Sequence, residues 1–241
     1  MTIYSLPDPA HFESNIAEKN THLFILQNRT GMQIALTDYG ARLVSALVPD
    51  KHGELVDVVL AFHTIDKYVA PKEQYNGATI ARVANRIEHG KFTLEGTDFT
   101  LAQNNGSNAL HGGAQGFHTK VWDRQVSLQK KVDFYYISPD GEEGFPGEVR
   151  VNVSYELTNE NEIVITFRAN TDKSTLLNLT NHAYFNLNGE GNGTIRNHTV
   201  QINASEYLPI TMDQIPTGEK APVKGTVFDF NKAKTIADEI D

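Results

Sequence analysis

Residues 149–167 read VRVNVSYELTNENEIVITF, and the spacing of their apolar side chains decides the fold class. Val149, Val151, Val153, Tyr155 and Leu157 recur at every second position, and Ile163, Ile165 and Phe167 continue the period. A period of two places alternate side chains on one face of a pleated strand, so the segment predicts two antiparallel strands sharing an apolar face. Upstream, Val126/Leu128 and Val132/Phe134/Tyr136 continue the pattern. Phe92 and Leu94, then Glu95-Gly96, then Phe99 and Leu101 read as a hairpin. Leu43 to Val48 and Leu55 to Leu60 flank Pro49-Asp50-Lys51-His52-Gly53, and Phe24-Ile25-Leu26 is separated by Asn28-Arg29-Thr30-Gly31 from Met32, Ile34 and Leu36. Helical spacing is confined to the tail, Asn231 to Ile240. The expectation is an all-β chain, a large antiparallel β-sandwich. With no internal repeat and no Pro/Ser-rich linker, residues 1–241 are expected to form a single domain.

Charge and composition narrow the function. There are 21 Lys and Arg against 30 Asp and Glu, a net charge of −9, which argues against a general nucleic-acid binder because such proteins neutralise phosphates with cations. Cysteine is absent, which excludes disulfides, thiol nucleophiles and cysteine-based metal sites. The opening MTIYSLPDPAHFESNIAEKN has neither a basic start nor an apolar run, and no stretch of 18 apolar residues follows. A cytoplasmic protein with no membrane partner is expected.

Four segments carry chemistry-bearing side chains. In Ser174 to Leu187, STLLNLTNHAYFNL, a strand would project Asn178, Thr180, His182, Tyr184 and Asn186 to one face and Leu177 and Leu179 to the other. Amide, hydroxyl, imidazole and phenol groups on one face suit a neutral, polyhydroxylated ligand; the plainer alternative is a solvated sheet face with a packed histidine. In NNGSNALHGG, residues 104–113, His111 leaves a turn-rich loop whose glycines would let backbone approach a ligand. Imidazole exchanges protons near neutral pH, so two histidines in polar settings suggest acid–base work, while His111, His118 and His182 show no metal-ligand spacing. In TIARVANRI, residues 79–87, Arg86 beside Asn85 offers a planar fork of donors to hydroxyls, although one or both arginines could simply pair with surface acids. The adjacent Glu142 and Glu143 of SPDGEEGFPGE, residues 138–148, invite comparison with a glycosidase carboxylate pair, but adjacent side chains diverge and the composition is that of a solvated turn.

Taken in order, TIARVANRI, NNGSNALHGG, SPDGEEGFPGEV and NLTNHAYFNL, followed by EYLPITMDQIPTGEKAPVKGTVFDF, resemble the aldose 1-epimerase (galactose mutarotase) family from about residue 21 onward. NLTNHAYFNL is the most specific of them. Ala81 departs from the pattern, standing where the family usually has glycine before the first arginine. The resemblance implies a galactose mutarotase-like supersandwich with an open sugar cleft, and interconversion of the α and β anomers of aldoses such as galactose and glucose. Carried over by position, His182 would donate a proton to the ring oxygen and His111 would hold or polarise that oxygen. Asn85 and Arg86 would bind hydroxyls, and Tyr184 would lie beside His182. No cofactor and no metal is implied, since nothing is oxidised and no group leaves; the partner is a small aldose. The family's general base is a glutamate far toward the C-terminus, preceded by an aspartate in a Gly-Phe-Asp-His-like segment, and neither segment occurs in residues 1–241; Glu206 and Glu219 fall outside the matching motif. The expectation is therefore a C-terminally truncated member with an incomplete sandwich and little activity of its own. A non-catalytic carbohydrate-binding module is the alternative, and a glycosidase using Glu142 and Glu143 a remote third.

Overall fold

The computed structural model describes residues 4–70, 73–127 and 130–240. The period-two segments pair as expected. Val149–Leu157 lies antiparallel between Lys131–Ser138 and Ile163–Thr171, and Asp123–Ser127 completes a four-stranded sheet at its outer edge. Leu128, expected in that edge strand, falls outside the described residues. A second four-stranded antiparallel sheet runs Leu23–Gln27, Gln33–Thr37, Arg42–Pro49, Leu55–Asp57 in chain order, with a bulge between Ala35 and Leu36.

The alternation sorts side chains as the pleat requires. Val149, Val151, Val153, Tyr155 and Leu157 are buried while Arg150 and Glu156 are exposed. Leu26, Ile34, Leu36 and Leu43 from one sheet and Val132, Phe134, Val151 and Val153 from the other join one core cluster that includes Trp122. The two sheets thus share a core, the arrangement of a sandwich, and each fully buried aliphatic side chain contributes roughly 1.5–3 kcal/mol. Ile163, Ile165 and Phe167 pack against the same cluster half-buried.

Turn chemistry follows the sequence closely. Asp50 Oδ1 accepts from the backbone N–H of His52 (2.7 Å) and of Glu54 (2.9 Å), closing the Pro49–Gly53 turn. Lys91–Leu94 pairs with Thr97–Thr100 around Glu95-Gly96, with Phe92 opposite Phe99 and their rings stacked at 5.1 Å. The tail differs from expectation. Lys234–Thr235 forms a short strand with Thr199–Val200, and only Ala237–Ile240 is helical. A ten-residue periodic stretch cannot repay helix nucleation alone, so strand pairing takes its middle. No helix among the described residues is long and apolar enough to cross a membrane.

Two compact units are present, one ending at Phe185 and one beginning at Asn186. The second contains the 199–200/234–235 ladder, a ladder of Glu206–Tyr207 with Ala221–Pro222, and a Tyr207–Phe228 ring contact at 4.6 Å.

Candidate active site

Residues 77–87 form the hub of the first unit's cleft. Thr79–Ile80 pairs with Thr180–Asn181, Val83 bridges Asn178, and Arg86–Ile87 pairs with Ala109–Leu110. This segment therefore carries the His182 chain on one side and the His111 chain on the other. Backbone bonds fix His182 twice: its N–H donates to Ala78 O (2.9 Å) and its carbonyl accepts from Gly77 N–H (3.1 Å). Asn181 locks the bend before it, donating through Nδ2 to Gly77 O (2.8 Å) and Tyr155 Oη (2.9 Å) while Oδ1 accepts from Ala183 N–H (3.0 Å).

That bend divides the expected single strand into Thr180–Asn181 and Tyr184–Phe185, the latter paired with Val59–Leu60. Thr180, His182 and Tyr184 still share one cleft, and Leu179 packs on the core. Leu177, expected on the buried face, is 37% exposed. Asn186, expected on the cleft face, is buried instead, donating to Asn192 O (3.2 Å) and accepting from Asn188 N–H (3.0 Å), because an Asx-type turn ends the alternation there.

His111 is locked to Asn85 in both directions. Its N–H donates to Asn85 O (3.0 Å), and Asn85 N–H donates to His111 Nδ1 (3.0 Å). With Nδ1 accepting, the neutral ring must carry its proton on Nε2. Desolvation, with His182 and Arg86 adding to it, pushes the His111 pKa down to about 4, so near neutral pH the ring is a hydrogen-bond donor without charge. Asn85 (φ +67°) and His111 (φ +54°) both hold left-handed backbone, uncommon outside glycine. Gly112 must be glycine, since a Cβ there would lie 1.9 Å from Ala81 O, and one on Gly113 would lie 2.0 Å from Glu143 Oε2. The close approach that the glycines permit is therefore to protein groups, not to a ligand as the sequence suggested.

The two arginines separate. Arg86 Nε donates to Asn105 Oδ1 (3.0 Å) and Nη1 to Asn85 Oδ1 (3.1 Å), so Arg86 orients the amide that lines the cleft. Arg82 is buried and donates to Ser138 Oγ (2.9 Å) and to the carbonyls of Pro139 (2.9 Å), Ser138 (3.1 Å) and Pro146 (2.9 Å). Among the described residues it pairs with no acid; it pins the 138–146 loop. Glu142 and Glu143 diverge within that loop. Glu142 accepts from Tyr136 Oη (2.6 Å) and from Ser138 Oγ and pairs with Lys120 (3.1 Å), while Glu143 lies against Gly113.

Asn85, His111, Thr180, Asn181, His182 and Tyr184 line one open cleft of about 450 Å³. The His111 and His182 rings meet edge to face at 5.0 Å and 89°, and Tyr184 lies 5.1 Å beyond His182. Among the described residues neither ring nitrogen of His182 has a hydrogen-bond partner, which leaves both open to a ligand. Two residues were not found from the sequence. Tyr75 contacts the rings of His111 (4.7 Å), His118 (4.9 Å) and His182 (5.7 Å), and it sits in KEQYNGA, where no periodicity marks it. His118, considered only as a metal ligand, is buried behind Tyr75 with both ring nitrogens unpartnered. Among the described residues no group of three or more His, Cys, Asp or Glu could hold a metal ion.

The sequence profile of aldose 1-epimerase matches residues 22–241. The chain belongs to the aldose 1-epimerase family. It is 45% identical over 201 residues to galactose mutarotase from Sus scrofa, covering 83% of this chain and 58% of that protein. Aldose 1-epimerase from Escherichia coli K12 is 42% identical over 217 residues, covering 90% of this chain and 62% of the relative. The chain thus spans about three-fifths of the length of these epimerases. Among solved epimerase structures, an aldose epimerase homologue from C. elegans superposes with a TM-score of 0.87 at 32% identity, over 92% of this chain and 67% of that one. Galactose 1-epimerase from Lactobacillus acidophilus superposes at 0.84 and 31% identity, over 95% and 66%. These likenesses establish the galactose mutarotase-like all-β fold.

Proposed function

We propose that the cleft binds an aldose such as galactose or glucose and supplies the acid half of its anomer interconversion. The observation that carries this reading is the right-angled His111–His182 pair at 5.0 Å, with one imidazole locked as a neutral donor and the other unpartnered. In the reaction a base takes the C1 hydroxyl proton, the C1–ring-oxygen bond breaks as C1=O forms, and His182 protonates the departing ring oxygen. Rotation about C1–C2 and reclosure give the other anomer, and the protons return. His111 Nε2–H holds the ring oxygen without competing for the proton, because its depressed pKa keeps it neutral. Asn85, steered by Arg86, binds hydroxyls, and Tyr184 borders the same face. A small sugar is the only partner this chemistry needs, and it requires no cofactor.

A second reading is a carbohydrate-binding module, since the same polar cleft can hold a sugar without turning it over. Polarimetry of freshly dissolved α-galactose, run beside a galactose titration, separates the two. Accelerated decay lost in His182→Ala supports the enzyme, binding without acceleration supports the module, and neither binding nor acceleration refutes both.

A further inference from the structure

We propose that Tyr75 is the positioning residue that fixes the ring of His182, an inference that rests on the reading of His182 as the proton donor. His111 has a hydrogen bond to hold its ring in place, and His182 has none among the described residues. The orientation of His182 therefore depends on ring packing alone. Its three ring neighbours are His111 at 5.0 Å, Tyr184 at 5.1 Å and Tyr75 at 5.7 Å. Tyr184 is 41% exposed and can move away into solvent, whereas Tyr75 is half-buried with His118 packed behind it at 4.9 Å.

Tyr75 is held by a buried cation. Arg42, fully enclosed, donates from Nη2 to Gln74 O (2.9 Å) and His118 O (2.7 Å) and from Nη1 to Asn76 O (2.7 Å). One guanidinium thus grips the backbone on both sides of Tyr75 and the backbone of the histidine behind it. Tyr75 N–H also donates to Glu73 Oε1 (3.1 Å), and its carbonyl accepts from Ala78 N–H (2.9 Å). Two residues on, Gly77 N–H donates to the His182 carbonyl (3.1 Å), so the Tyr75 turn and His182 belong to one bonded frame. A side chain wedged against both cleft imidazoles and fixed to this degree sets where the unpartnered one points.

The test is histidine-ring NMR on the full 241-residue chain with labelled imidazoles, in wild type, Tyr75→Phe and Tyr75→Leu. Tyr75→Phe keeps the ring and should leave His182 ring shifts and line widths as in wild type, with galactose affinity within about twofold. In Tyr75→Leu both imidazoles lose the Tyr75 ring current and shift, but only the His182 ring signals should broaden while those of His111, held by Asn85, stay as narrow as in wild type, and galactose affinity should fall about tenfold or more. His182 line widths as narrow as in wild type in a folded Tyr75→Leu protein overturn the proposal. Should Tyr75→Leu fail to fold, wild-type cross-relaxation between Tyr75 and His182 ring protons decides: its presence supports the contact and its absence overturns it. If wild type binds no galactose, the functional reading fails while the ring signals still decide the role of Tyr75.

Discussion

Lowering the pH from 7 to 5 should weaken the first unit through His118, by an amount that can be worked out. His118 is 1% exposed and neither ring nitrogen has a partner among the described residues. Burial, with the cations Arg42 and Lys120 and with His111 nearby, pushes its pKa down to about 3. In the unfolded chain a histidine titrates near 6.5. Between those values the unfolded chain binds a proton that the folded chain refuses, so stability rises with pH across the window and is lost as the pH falls from 6.5 toward 3. At pH 5 the gap is about 1.5 pH units at roughly 1.36 kcal/mol each, close to 2 kcal/mol, while at pH 7 it is nearly nil. His118→Phe keeps a ring behind Tyr75 and removes the titration. Urea unfolding can be followed by the fluorescence of Trp122, the chain's single tryptophan, which is buried in the first unit. For a slope of about 2 kcal/mol per molar urea, the wild-type midpoint should drop between pH 7 and 5 by about 1 M more than that of the variant. Any constant packing cost of the phenyl ring cancels in this comparison. Equal drops in the two proteins would refute the argument, because they would mean that the buried imidazole does not titrate as its surroundings require.

Other substitutions should separate scaffold from site. Arg82→Met removes the buried donor shared by Ser138 Oγ and the carbonyls of Ser138, Pro139 and Pro146 and should cost roughly 3 kcal/mol or more by urea unfolding, whereas Arg86→Met should cost under about 1 kcal/mol but weaken galactose binding in a titration. Gly112→Ala places a methyl group 1.9 Å from Ala81 O at φ +80° and should destabilise by about 2–4 kcal/mol, read as a lowered thermal midpoint. Asn85→Gly suits the φ of +67° and should unfold within about 1 kcal/mol of wild type, yet lose up to about tenfold in galactose affinity with the missing amide.

The fold was legible because a strand buried on one face must alternate. Val149 to Leu157 and Ile163 to Phe167 announce their period, and pairing in the sheet followed. The same logic picked out Thr180, His182 and Tyr184 for one cleft, and it failed at Asn186 because an amide can close a turn as readily as it can face a ligand. The arginines show where local pattern stops. Arg82 and Arg86 sit four residues apart in TIARVANRI with similar neighbours, and nothing in that stretch says that one will be buried under carbonyls 56 to 64 positions away while the other reaches a loop 19 positions on. Tyr75 is hidden for the same reason: what holds it is Arg42, a residue that reads from sequence as an ordinary polar interruption in a strand. Buried guanidinium groups at Arg42 and Arg82 each bind backbone carbonyls from segments distant in the chain: Arg42 holds the turn that carries Tyr75 against the His111 and His182 rings, and Arg82 holds the 138–146 loop, whose Glu143 lies against Gly113, two residues from His111. The apolar period thus builds the sandwich, while two buried cations whose partners are irregular backbone fix the loops that carry the site. A burial-only reading of the sequence recovers the sandwich and loses the loops.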